Sequence, residues 1–341
     1  MLEEIKSQPE VLARLIHEAE EEVNHLAADI KARQIELIVF AGRGTSDHAA
    51  VFGQYFFSYL TGLPVALAAP SLVTIYQRPL RLAKALVIGI SQSGAAADVA
   101  AYLEAARSSG ALTALITNNP HSPMAAQVDH LLYCRAGEEQ AVAATKTYTA
   151  ELALLAMLGV ALVGDKALKT ALAALPEKVY QTLALETAIK AGVERYTFMT
   201  ECLVLARGLN QATALEVALK IQETSRINAK GFSAADFAHG PIALVRQNTP
   251  VLLFAPEGAA LEGLLAMAAE IRARGGELIV FSDQGRALAM GRTAFRLPAV
   301  EEILSPFTSV VAGQLFACFL ALSKGLDPDR PAGLSKVTVT R

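Results

Sequence analysis

The chain repeats itself, and the repeat limits what it can become. Leu37-Ile-Val-Phe-Ala-Gly-Arg-Gly44 has an echo in Leu203-Val-Leu-Ala-Arg-Gly208, the closing glycines lying 164 residues apart. The run 251–255 answers 87–90, and 278–282 answers 113–117, at nearly the same offset. Matching apolar runs at one spacing mark a duplicated structural unit. Each run is short and lacks polar alternation, the pattern of a strand buried on both faces of a parallel sheet. In the first half such runs occupy 35–41, 85–90, 112–117 and 128–134, with helical stretches at 95–107 and 141–163. Strands alternating with helices predict an α/β fold of two tandem αβα sandwiches, each around a doubly wound parallel sheet. The expected divisions are an N-terminal helical segment, 1–34, a first domain, 35–165, a helical linker, 166–194, and a second domain, 195–341. Within the first of these, 8–34 reads as one leading helix. The tail, 334–340, reads as extended and β-branched.

Composition narrows the function. A hydrophobic share of 53% against 18% charged residues offers enough burial to order the chain, which excludes intrinsic disorder. The 30 basic and 33 acidic residues are dispersed without a Lys/Arg block, so neither nucleic acid nor a membrane is an expected partner. Cys134, Cys202 and Cys318 lie far apart in apolar runs and read as buried thiols of a reducing compartment. No Cys or His spacing suggests a metal site, and no cofactor is expected. The start, Met1-Leu2-Glu3-Glu4, lacks the basic head and apolar core of a signal peptide. The longest apolar run, 152–163, is shorter than the roughly 18 residues of a spanning helix. A cytoplasmic location is the resulting expectation.

In parallel α/β sheets, ligands bind beyond the carboxyl ends of the strands. The run 87–90 leads straight into Ser91-Gln92-Ser93-Gly94 and a helix start. Hydroxyl donors, a glycine that lets the backbone approach, and free helix N–H groups suit a phosphate. Simple N-capping by Ser93 is the competing use. Gly42-Arg43-Gly44-Thr45-Ser46-Asp47-His48 also follows an apolar run and offers two more hydroxyls. Asp47 also reads as a helix-start residue, and His48 as a packing one. Further on, Glu216, Lys220 and Glu223 share one helix face, which suits either an exposed ion pair or a base with its electrostatic partner.

Taken in order, Gly44-Thr-Ser46, Ser91-Gln-Ser-Gly94, Val142-Ala-Ala-Thr-Lys146, Ala214-Leu-Glu-Val-Ala-Leu-Lys220 and His239-Gly-Pro241 resemble the isomerase portion of glutamine–fructose-6-phosphate aminotransferases. That portion is a tandem pair of sugar isomerase (SIS) domains, and the resemblance spans essentially the whole chain. It implies an enzyme acting on a phosphorylated sugar, most simply an amino sugar. Position by position it makes Glu223 the base of proton transfer, Lys220 its partner and His239 the ring-opening group. His239 would be donated across the interface of a homodimer. Lys336 becomes the lysine that meets the open-chain carbonyl. Thr45, Ser46, Ser91, Gln92, Ser93, Gly94, Val142 and Ser335 become the substrate- and phosphate-binding set. Two departures stand out: Ala96 and Ala144 occupy positions where the family carries hydroxyls. The aminotransferases carry an N-terminal glutaminase domain with a cysteine nucleophile, whereas the first cysteine here is Cys134. The expected relatives are therefore stand-alone glucosamine-6-phosphate deaminases and deglycases of this type. A non-catalytic sugar-phosphate sensor is the reading from another class, disfavoured by the full set of Glu223, His239 and Lys336.

Overall fold

A computed structural model describes residues 1–336, which form two compact units. The first unit takes in Glu10–Glu139, Lys146–Ala174 and, of the tail, Ser335 and Lys336. Its sheet consists of β1 (Leu37–Ala41), β2 (Val65–Leu67), β3 (Ala85–Ile90), β4 (Leu112–Thr117) and β5 (His130–Tyr133). All pairings are parallel and the order is β2-β1-β3-β4-β5. The second unit comprises Met1–Pro9, Gln140–Thr145 and Leu175–Leu334. Its strands are β6 (Glu201–Ala206), β7 (Asn228–Ser233), β8 (Pro250–Phe254), β9 (Glu277–Ser282) and β10 (Thr293–Arg296). Read from the far edge the order is β7-β6-β8-β9-β10, again all parallel. The two sheets have one topology, so the repeated runs are the duplicated core strands β1/β6, β3/β8 and β4/β9. The edge strands β2, β7 and β10 are additions that the apolar pattern did not reveal.

Three helices open the chain: α1 (Leu2–Lys6), α2 (Gln8–Glu18) and α3 (Glu20–Ala32). The single leading helix expected over 8–34 is thus broken at Ala19, which is fully buried at the junction. The first unit also holds α4 (Thr45–Thr61), α5 (Ser71–Thr74), α6 (Ala97–Ser108), α7 (Lys146–Val163) and α8 (Lys166–Ala173). The stretch 141–145, expected as the start of α7, is not helical. It belongs to the second unit, where Ala141 N–H donates to the Glu4 carboxylate at 3.3 Å and Val142 N–H to Asp329 O at 3.1 Å. The second unit's helices are α9 (Leu175–Leu183), α10 (Glu186–Val193), α11 (Gln211–Ser225), α12 (Ala234–Ala238), α13 (Leu261–Ala273), α14 (Gly285–Leu288) and α15 (Ser305–Ser323). Most of the tail expected at 334–340 lies outside the described residues.

Two helical stretches, Lys146–Val163 and Glu302–Ser323, are long and apolar enough to cross a membrane by length and composition. Their apolar windows are 83% and 94% buried in the protein, so each serves as a core helix. Within their own units α7 packs on α3 and α4, and α15 on α9, α10 and α11. The three cysteines are buried thiols.

Candidate active site

In each sheet the strand order turns back between the first and third strands of the repeat, the place where open parallel sheets bind ligands. In the first unit the loops after β1 and β3 flank that point. Beyond β3, Ser91 N–H donates to Ile116 O at 3.0 Å and Asn118 N–H to Gln92 O at 3.0 Å, tying the loop to β4. Ser93 does not cap α6. Its hydroxyl accepts from Ala95 N–H at 3.3 Å, while the cap residue is Ala96, without a side-chain bond. The first turn of the 12-residue α6 thus gets no bond from its cap residue, and Val99 N–H donates to Asp98 Oδ1 at 3.0 Å, beside a half-buried Gln92 and Ser93.

Gly94 is fixed by two facts. Its φ is +64°, and an added Cβ would lie 2.2 Å from Ser122 Oγ. Gly94→Ala must strain the backbone or push the loop off β4. The thermal midpoint is expected to fall by about 2–4 °C, read by differential scanning calorimetry. An unchanged midpoint would mean that the loop yields to the added methyl without cost.

Beyond β1, α4 starts at Thr45. Arg43 Nε binds Asp98 on the first turn of α6 at 2.6 Å, which joins the two loops. Thr45 is half-buried, whereas the buried Ser46 commits its hydroxyl to Glu151 on α7 at 2.9 Å. Burial pushes the Asp47 carboxyl up, against the opposing pull of His48 and Arg43.

The same unit holds a residue that sequence reasoning missed. Glu139 is 5% exposed. Its carboxylate accepts from Gln92 Nε2 at 3.1 Å and Thr147 N–H at 3.4 Å, and pairs with Lys336 Nζ at 3.6 Å. One carboxylate thus ties the phosphate-type loop, the start of α7 and the C-terminal lysine. Its neighbour Lys146 is also buried and donates to Glu138 O at 2.6 Å. Glu139 lies in a Gly-Glu-Glu-Gln stretch that looks solvated, and its only sequence signal is its place just before Val142.

The second unit carries the ionic cluster. Glu216 and Lys220 have fully buried side chains, while Glu223 on the next turn of α11 keeps 22% exposure. Lys220 Nζ lies 2.6 Å from Glu223 and 3.3 Å from Glu216. Burial alone would depress the lysine, but the two carboxylates outweigh it and hold Lys220 above its ordinary range. This is a buried triad, with a fixed cation between a wholly enclosed carboxylate and one that reaches the surface. His239 caps the C-terminal end of the short α12, and its side chain is exposed. Val142 is half-buried and Ser335 exposed.

Two open parallel sheets of one topology, with a Ser91–Gly94 turn leading from β3 to α6 in one and a buried acid–lysine–acid triad in the other, define a class. The SIS domain model matches residues 31–161 and 201–324, and the chain belongs to that family. It is homologous to the isomerase part of glutamine–fructose-6-phosphate aminotransferase. The enzyme of that name from Pyrococcus horikoshii is 35% identical over 345 residues, covering 99% of this chain and 57% of the relative. The chain thus spans little more than half the length of such relatives. Among solved structures, a candidate phosphosugar isomerase from Silicibacter pomeroyi superposes with TM-score 0.88 at 32% identity, covering 96% of this chain and 98% of the other. Glucosamine-6-phosphate deaminase from Thermotoga maritima shares the fold, with TM-score 0.81 at 21% identity and 99% of each chain covered.

Proposed function

We propose that this chain is a phosphosugar isomerase that deaminates an amino sugar phosphate, converting glucosamine-6-phosphate and water to fructose-6-phosphate and ammonia. The observation that carries the reading is the Glu216–Lys220–Glu223 triad. A surface ion pair would leave both groups in water, whereas here the lysine is enclosed and only Glu223 is open to a substrate. That suits a base held in its charged form beside a cation that stabilises developing charge.

In this reading the phosphate is held by Ser91, Gln92, Ser93 and Thr45, with the N–H groups that open α6. His239 opens the ring, and its exposure supports its being presented to a second copy of the chain. Glu223 takes the proton from C2 of the open-chain aldehyde. The electron pair forms the C1=C2 bond of an enolamine while the carbonyl oxygen gains a proton. The proton returns to C1, leaving a 2-imine, and water adds to C2 to expel ammonia. Lys336, oriented by Glu139, is the contact to the open-chain carbonyl.

The test is incubation of the purified protein with glucosamine-6-phosphate, following ammonia and fructose-6-phosphate together. Equal amounts of both are expected. Binding without either product would overturn the deaminase and favour a second reading, a deglycase or isomerase for another sugar-phosphate amine. Ala144 supports that alternative, because it stands where the family's sugar-contacting hydroxyl would be, whereas Ala96 removes only a phosphate hydroxyl.

A further inference from the structure

The second unit contains the counterpart of the phosphate-type loop, and that loop is already filled. Gly94 and Gly258 are 164 residues apart, the offset of the repeat, and both lie between the third strand and its following helix. Both have positive φ, +64° and +149°. The hydroxyls are gone: Ser91 is matched by Ala255, Ser93 by Glu257 and Thr45 by Leu209. The backbone donors remain. Glu257 N–H, the counterpart of Ser93 N–H, donates to Asp283 Oδ1 at 2.8 Å. Ala259 N–H, the counterpart of Ala95 N–H, donates to Glu302 Oε1 at 2.9 Å. The Glu302 carboxylate carbon lies only 2.1 Å from where a Gly258 Cβ would stand. Any side chain at 258 would expel it.

In the first repeat the corresponding donors meet no carboxylate among the described residues. Asn119, at the place of Asp283, donates its amide to Ser93 O at 3.3 Å, while its amide oxygen accepts from His121 N–H at 3.2 Å. An amide has become an acid, and a second acid has closed over the helix start.

We infer that Glu302 is the built-in anion of the second repeat: its carboxylate occupies the cradle that a phosphate occupies in the first, so each chain takes one phosphate and not two. The inference rests on the reading of Ser91–Gly94 as the phosphate loop. A carboxylate tethered a few ångströms from its donors competes at high effective concentration, so millimolar free anion does not displace it. Helix donors and dipole that would otherwise face water are neutralised without a ligand.

The experiment uses the full chain with the first loop blanked by Ser91→Ala and Ser93→Ala, titrated with inorganic phosphate and read by thermal midpoint. With Glu302 intact the response is the baseline that the first loop's remaining backbone donors and Thr45 give. Adding Glu302→Ala should lower the midpoint in plain buffer by about 3 °C and let ~10 mM phosphate restore about 2 °C or more. Glu302→Gln, which keeps length and an acceptor oxygen, guards against simple misfolding and should also gain a phosphate response. No gain in either variant, or an equal response with Glu302 intact, overturns the inference. Failure of the first-loop reading looks different: Ser91→Ala with Ser93→Ala would then leave sugar-phosphate binding unchanged in a chain with Glu302 intact.

Discussion

Glu223→Gln is expected, on the proposed deaminase reading, to lower turnover of glucosamine-6-phosphate by about 10²–10⁴-fold while leaving its binding close to wild type. The amide keeps the volume and an acceptor for Lys220 Nζ, now 2.6 Å away, so the cation stays placed. Only the ability to carry a proton is lost. Steady-state kinetics paired with calorimetric binding make the check. A variant that binds poorly but turns over normally when saturated would make Glu223 a binding group and not the base.

Lys220→Met should have the largest effect on stability, about 3–5 kcal/mol, because it withdraws the cation from beside a wholly buried Glu216. Denaturant unfolding measures it, and adding Glu216→Gln should recover much of the loss by removing the buried charge. The pH dependence has a defined sign. Lys220 is held above its unfolded value, so its contribution is complete at all pH values below the ordinary lysine range. It is lost only as pH rises through the folded value. The gap between wild type and variant should therefore be flat across neutral pH and narrow only in strong alkali. A deficit that vanished near neutrality would mean the triad is not charged as described.

The central strands were legible in the sequence because burial on both faces leaves no polar positions, as in Leu112–Thr117, where every residue is buried. Edge strands carry no such mark. β7 reads Asn-Ala-Lys-Gly-Phe-Ser, with Asn228 and Lys230 exposed. Its strand identity comes from pairing with β6. The break at Ala19 has no Gly or Pro to announce it. Among candidate site residues, helical spacing put Glu216, Lys220 and Glu223 on one face, but only tertiary packing against α15 makes them a buried triad and not a surface pair. Glu139 was invisible for the opposite reason. A glutamate in a polar loop looks solvated until the loop folds under Gln92 and Lys336.

The make-up of the second unit bears on how the chain is born. Gln8 is wholly buried and donates to Gln314 Oε1 at 2.9 Å, across 306 residues of sequence. Gln314 in turn donates to Thr145 O at 3.3 Å. The segment around Gln8 therefore finds its seat only after the residues around Gln314 have been made. During synthesis at ~5–20 residues per second, α1 waits tens of seconds for α15. In that interval the face of α1 that packs on α15 has no partner, and the second unit closes only when the later helix meets the earlier one.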